Sequence, residues 1–108
     1  MSYRVDVSAA VERAMLEYAR FIAQDGASPL NAERWLAGAW QALESLQTFP
    51  RRWPRLAVHL PEELRRMVFG EHIVVFQIDD ASRVINVIAW RHAKQDTLHT
   101  SESQAQDN

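Results

Sequence analysis

The sequence predicts an α+β fold: an N-terminal strand, a helical hairpin, then a three-stranded antiparallel meander. Three observations carry this. Apolar residues alternate at the start, recur at helical spacing through two long segments, then return to near-alternation in three runs parted by short turns. The 108 residues suffice for one domain with one core, at an ordinary hydrophobic content of 47%. There is no cysteine, so the core forms without disulfides and the commonest structural zinc and iron–sulfur sites are excluded.

Tyr3, Val5 and Val7 alternate with Arg4 and Asp6, the period of a half-buried strand. Ser8 is placed to cap a first helix, with Val11, Ala14, Met15, Tyr18 and Ile22 as its apolar stripe. Asp25-Gly26 ends it, with Gly26 expected in the left-handed conformation. Ser28-Pro29 supplies a cap and a first-turn proline for a second helix. Its stripe is Trp35, Leu36, Ala39, Ala42, Leu43 and Leu46, and Phe49-Pro50 stops it. A connection this short makes the pair an antiparallel hairpin. Leu16 and Trp40 fall off the two stripes.

The segment from Arg51 to Pro61, bordered by Pro50 and carrying Pro54, reads as an irregular loop. Strands are expected at Leu64–Phe69, His72–Ile78 and Val84–Trp90, joined by Gly70-Glu71 and by a polar turn from Asp79 to Arg83. Residues 1–96 form the domain, and 97–108 a polar tail expected to be disordered. Strict alternation along the last strand groups Trp90 with Asn86 and Ile88, opposite Ile85, Val87 and Ala89. Both faces of the meander are then largely apolar, whereas two helices cover only one. The second face needs a cover: either the loop, through Trp53, Leu56, Val58 and Leu60, or a partner chain.

Charge narrows the function. Residues 50–94 carry seven Arg and one Lys against five acids, while the rest of the chain is acidic, leaving a net charge of −2 and a pI near 6.0. That balance is a poor footprint for gripping nucleic acid, where affinity comes mainly from neutralising phosphates. Arg51, Arg52 and Arg55 therefore read as solvated charge or as contacts for an acidic protein. The four histidines lack metal-ligand spacing, so no metal is expected, and three glycines leave no phosphate-binding loop or other cofactor motif. No apolar run reaches the length of a membrane span and the first residues lack a signal-peptide core, so a cytoplasmic protein is expected.

The order of these pieces resembles the ParE/RelE family, the toxins of type II toxin–antitoxin pairs. The likeness runs from Tyr3 to about Asp96. It rests on Tyr3-x-Val5-x-Val7-Ser8 and on Asn31-Ala32-x-x-Trp35-x-x-x-Ala39-x-x-Ala42-Leu43-x-x-Leu46 ending at Phe49-Pro50. It continues through Leu64-Arg65-Arg66-Met67-Val68 and Ile73 to Asp79, and ends with Val87-Ile88-Ala89-Trp90-Arg91-His92-Ala93-Lys94-Gln95-Asp96. The resemblance implies a RelE/ParE-like fold, a cognate antitoxin partner, and one of two targets.

RelE-like members cleave mRNA on the ribosome, a reaction that needs a proton acceptor, cations at the phosphate and an acid for the leaving oxygen. ParE-like members act on DNA gyrase. Here Ile73 stands where RelE-like chains carry an arginine, and the end of the chain has no tyrosine. The resemblance thus implies a ParE-like plasmid-stabilisation toxin that binds gyrase. A RelE-like endoribonuclease using Arg66, His72 and His92 is the alternative, and a non-toxic interaction domain the third reading. For the antitoxin, contacts are expected at Leu16, Trp40, Arg51, Arg52, Arg55 and Trp90.

Overall fold

The computed structural model describes residues 2–56 and 62–94. The expected tail, and Val58 and Leu60 of the expected loop cover, lie outside these residues. Strand β1 (Arg4–Val7) leads into helix α1 (Ala9–Asp25) and helix α2 (Pro29–Glu44), followed by β2 (Leu64–Phe69), β3 (His72–Asp79) and β4 (Val84–His92). The sheet order is β1-β4-β3-β2. β1 lies parallel to β4, and the other pairings are antiparallel.

Both helix starts follow from their serines. Ser8 Oγ accepts the Val11 N–H and Ser28 Oγ accepts the Asn31 N–H, each at 3.2 Å. The Ser8 N–H also donates to the Val87 carbonyl at 3.1 Å, so the cap of α1 is tied to the last strand. The turn between the helices departs from expectation. Gly26 stays right-handed at φ −82°, and Ala27 takes the left-handed conformation at φ 52°. Gly26 is required for space instead, since a Cβ there would lie 2.8 Å from the Ile22 carbonyl oxygen.

After α2 the chain tightens through two 3₁₀ turns, Ser45–Gln47 and Pro50–Arg52, with left-handed Phe49 between them. The next residues then run along the outer edge of β2. Leu56 N–H donates to Leu64 O at 2.8 Å and Arg66 N–H to Pro54 O at 3.1 Å, with Arg55 opposite Arg65. The start of the loop therefore extends the sheet sideways, while Trp53 packs against the core.

The core lies between the helices and one sheet face. Val11 and Met15 of α1 and Ala39 and Leu43 of α2 meet Met67, Val74, Phe76, Ile85 and Val87. Trp90 belongs to this core as well, at 7% exposure, which corrects its expected place on the uncovered face. The cause is a bulge. Val75 pairs with Ala89 but Phe76 pairs with Val87, leaving Ile88 as an extra residue in β4. The insertion shifts the alternation, so Trp90 and Val74 point to the helices together. The opposite face carries Arg66, Val68, Ile73, Gln77, Asn86 and Ile88. Val68 and Ile88 are exposed there, and Asn86 donates to Gln77 at 3.0 Å.

Candidate functional site

At the Gly70 end of the sheet, rings gather around His72, the first residue of β3. A two-residue turn with Gly70 at φ +57° reverses the chain, and cross-strand pairing sets His72 beside His92. Their ring centroids are 5.1 Å apart. Tyr18 of α1 meets His72 edge-on at 4.4 Å, Trp35 of α2 at 5.4 Å and Trp90 at 5.7 Å. His72 is 3% exposed, and neither ring nitrogen has a hydrogen-bond partner; the Trp90 Nε1–H is also unpartnered.

Burial, reinforced by the neighbouring His92, holds the His72 pKa below the ordinary imidazole value. Glu71 pulls the other way, as does the nearby Phe69 backbone, although it falls outside hydrogen-bond geometry to the imidazole nitrogens. His72 is thus neutral at neutral pH. His92 is held differently. Its Nδ1 accepts the Lys94 N–H at 3.1 Å, which assigns the proton to Nε2, 3.3 Å from Glu71 Oε1. Between α1 and this end of β4 a cleft of about 510 Å³ opens, lined by Tyr18, Phe21, His72, Trp90 and His92 with Arg13 and Glu17.

The arginines singled out in the sequence lie elsewhere. Arg66 pairs with Val75 on the sheet face away from the helices, whereas His72 and His92 point towards them. The three residues of the ribonuclease alternative are therefore not brought together. Arg51 grips Glu63 through two bonds of 2.9 and 2.7 Å and Asp80 through two of 2.6 and 3.5 Å. Tyr3 joins by donating to Asp80 at 2.7 Å, and Arg65 by donating to Glu63 at 2.8 Å. Hydrogen bonds from Arg51 hold Glu63 and Asp80 below the usual carboxylate range, with Arg65 and Tyr3 respectively adding to the effect. The network ties the loop to the Asp79–Arg83 turn. Arg52 instead bonds Ser45 at 3.3 Å and lies 5.8 Å from the Trp53 ring, while Arg55 is exposed.

Leu16 and Trp40 do stand off the core, at 48% and 36% exposure. Phe21, Leu30 and Phe49 are exposed too; Leu30 sits in the first turn of α2 and Phe49 in a turn, where periodicity says little, while Phe21 lies within α1 beside its core stripe. Among the described residues, no group of three or more histidines or acids is placed to hold a metal ion, and no helix is long and apolar enough to cross a membrane.

The model of the ParE toxin of type II toxin–antitoxin systems matches residues 5–97. The chain belongs to this family. As a ParE-family toxin it is also similar in fold to solved relatives at low sequence identity. The RelBE2 toxin–antitoxin complex of Mycobacterium tuberculosis aligns at TM-score 0.63 and 18% identity, over 85% of this chain and 99% of that one. The archaeal RelE–RelB complex of Pyrococcus horikoshii aligns at 0.58 and 18%, over 86% and 97%. A free RelE mutant of E. coli aligns at 0.56 and 16%, over 93% of each chain. No curated protein matches the sequence. The ParE-family toxin shares with these structures two helices packed on a four-stranded mixed sheet.

Proposed function

We propose that this ParE-family toxin acts by binding DNA gyrase rather than by cutting RNA, and that a cognate antitoxin neutralises it in the cytoplasm. The observation that carries the choice is the division of groups between the two sheet faces. The histidines suited to proton transfer, His72 and His92, lie on the helix side. Arg66 lies on the other face, opposite Val75. A phosphate held by Arg66 is out of reach of the His72 imidazole, so the acid–base and charge-stabilising groups named for RNA cleavage do not converge.

An antitoxin partner is supported by the family and by the two similar solved structures, which are complexes of toxin with antitoxin. Its contacts follow from exposure. Leu16, Trp40 and Arg55 are available, and Arg52 is exposed as well. Arg51 is engaged by Glu63 and Asp80, and Trp90 is in the core, so neither is offered to the partner. Trp40 is the anchor of this set, because large aromatics dominate interface energy. Purified toxin is tested in parallel for inhibition of gyrase supercoiling and for cleavage of mRNA on ribosomes. Inhibition without cleavage supports the proposal; codon-specific cleavage at low toxin concentration overturns it.

A further inference from the structure

The cleft between α1 and β4 has a floor chemistry that the toxin reading does not use. Its walls are the rings of Tyr18, Phe21, His72, Trp90 and His92, and its volume of about 510 Å³ suits a small ligand. His72 and Trp90 are both more than nine-tenths buried, and all three of their ring nitrogens lack a partner. Burying such groups unpaired is costly and invites a ligand that pairs them. Neutral His72 offers one N–H donor and one lone-pair acceptor, and Trp90 offers a second donor. His92 adds only its ring face, since its nitrogens already meet Lys94 and Glu71.

Each ligand class can be weighed against that set. An aliphatic group leaves every nitrogen unpaired. An anion uses the donors but not the His72 acceptor, and a cation meets two donors head-on. A flat heterocycle with acceptor and donor side by side on its edge answers all three while stacking between the ring walls. We propose that the cleft binds a nucleobase, presented as a nucleoside or mononucleotide. The nitrogens have under 1 Å² exposed, so the base reaches them only as the Tyr18 ring, edge-on against His72, turns aside. Affinity then comes from stacking and edge pairing, which needs no basic surface and agrees with a pI near 6.0.

The test uses the full ¹⁵N-labelled chain titrated with adenosine, guanosine, cytidine and uridine to millimolar concentration, and with N-acetyltryptophanamide as the protein-like ring. The readout is the Trp90 indole N–H resonance, which moves on forming a hydrogen bond. At least one nucleoside is expected to shift it saturably. His72→Phe keeps a ring but removes two hydrogen-bonding nitrogens, and is expected to lower affinity about tenfold or more. Ala10→Trp, at an exposed position on the cleft wall, fills the opening without touching the core and is expected to abolish binding. The proposal is overturned if no nucleoside moves the resonance, or if Ala10→Trp binds as well as the parent. It is equally overturned if N-acetyltryptophanamide binds as tightly as the best nucleoside, which makes the cleft a socket for a partner's aromatic side chain.

Discussion

Replacing Trp90 by alanine tests the bulge, the feature that most changes how the sheet is read. Trp90 is 7% exposed and its ring lies 5.9 Å from both Trp35 and Phe69. An aromatic of this kind buries roughly 150–250 Å². At about 25 cal/mol per Å² that is about 4–6 kcal/mol, reduced to about 3–5 once a partly compact unfolded chain is the reference. The same range is found for removing buried aromatics generally, about 3–5 kcal/mol. A domain of this size has about 5–15 kcal/mol in all, so Trp90→Ala removes a third or more of it in most of that range. The midpoint of thermal unfolding should fall by about 15–30 °C. Urea denaturation followed by circular dichroism gives the free energy directly, with antitoxin affinity measured on the protein that remains folded. A loss below about 1 kcal/mol, with affinity falling instead, would put Trp90 back on the surface and refute the bulged register.

Other expectations follow from the same geometry. Deleting Ile88 removes the extra residue and leaves Trp90 pointing inward, so the deletion should fold with Trp90 buried; red-shifted Trp emission beyond that of the parent would contradict the pairing. Folding lowers the His72 pKa below its unfolded value of about 6.5, so the unfolded chain binds more protons in the window beneath that pH. Stability from this group is complete above about pH 6.5 and falls as pH drops towards the folded value. The groups around His72 are Tyr18, His92 and Glu71, with Arg13 and Glu17 on the cleft; His72→Phe should flatten the slope between pH 6.5 and 5 in urea melts, and an unchanged slope would assign it elsewhere. Arg51→Ala should cost less than about 1 kcal/mol and lose even that at high salt, because its network is largely solvent-screened. Trp40→Ala should weaken the antitoxin complex by about 2 kcal/mol or more by calorimetry on the folded protein, while lowering the melting temperature less than Trp90→Ala does, since Trp40 is 36% exposed.

Much of the fold is written locally. Ser8, Ser28 and Pro29 mark helix starts because a hydroxyl satisfies the first free N–H groups wherever a helix begins. The strands announce themselves by alternation and by turn residues. What escapes is whatever depends on a distant partner. Counting by twos across β4 steps over Ile88 and misplaces Trp90, because a bulge is a property of two paired strands and not of one. The ion network joins Arg51 to Tyr3, Glu63 and Asp80, residues with no local relation. Trp53 to Leu56 looks like a cover for a sheet face, yet its backbone groups find partners on the edge of β2. The His72–His92 pair was accessible from the strands and turn alone; the Tyr18 and Trp35 rings that seal it come from the helix hairpin, whose placement over the sheet periodicity does not give.

The parallel pairing of β1 with β4 has a consequence for synthesis. Arg4 lies beside Val84 and Val7 beside Val87, so the earliest strand of the domain takes its neighbour from the latest. Contacts so distant along the chain carry a large closure cost and form late. On the ribosome, where residues emerge at about 5–20 per second, β1 and the α1 cap must wait for β4 before Ser8 can reach Val87. The helices emerge early with their sheet-facing stripes bare. A nascent toxin is therefore without its finished surface until β4 has been made, and any chain truncated before β4 lacks the strand that pairs with β1.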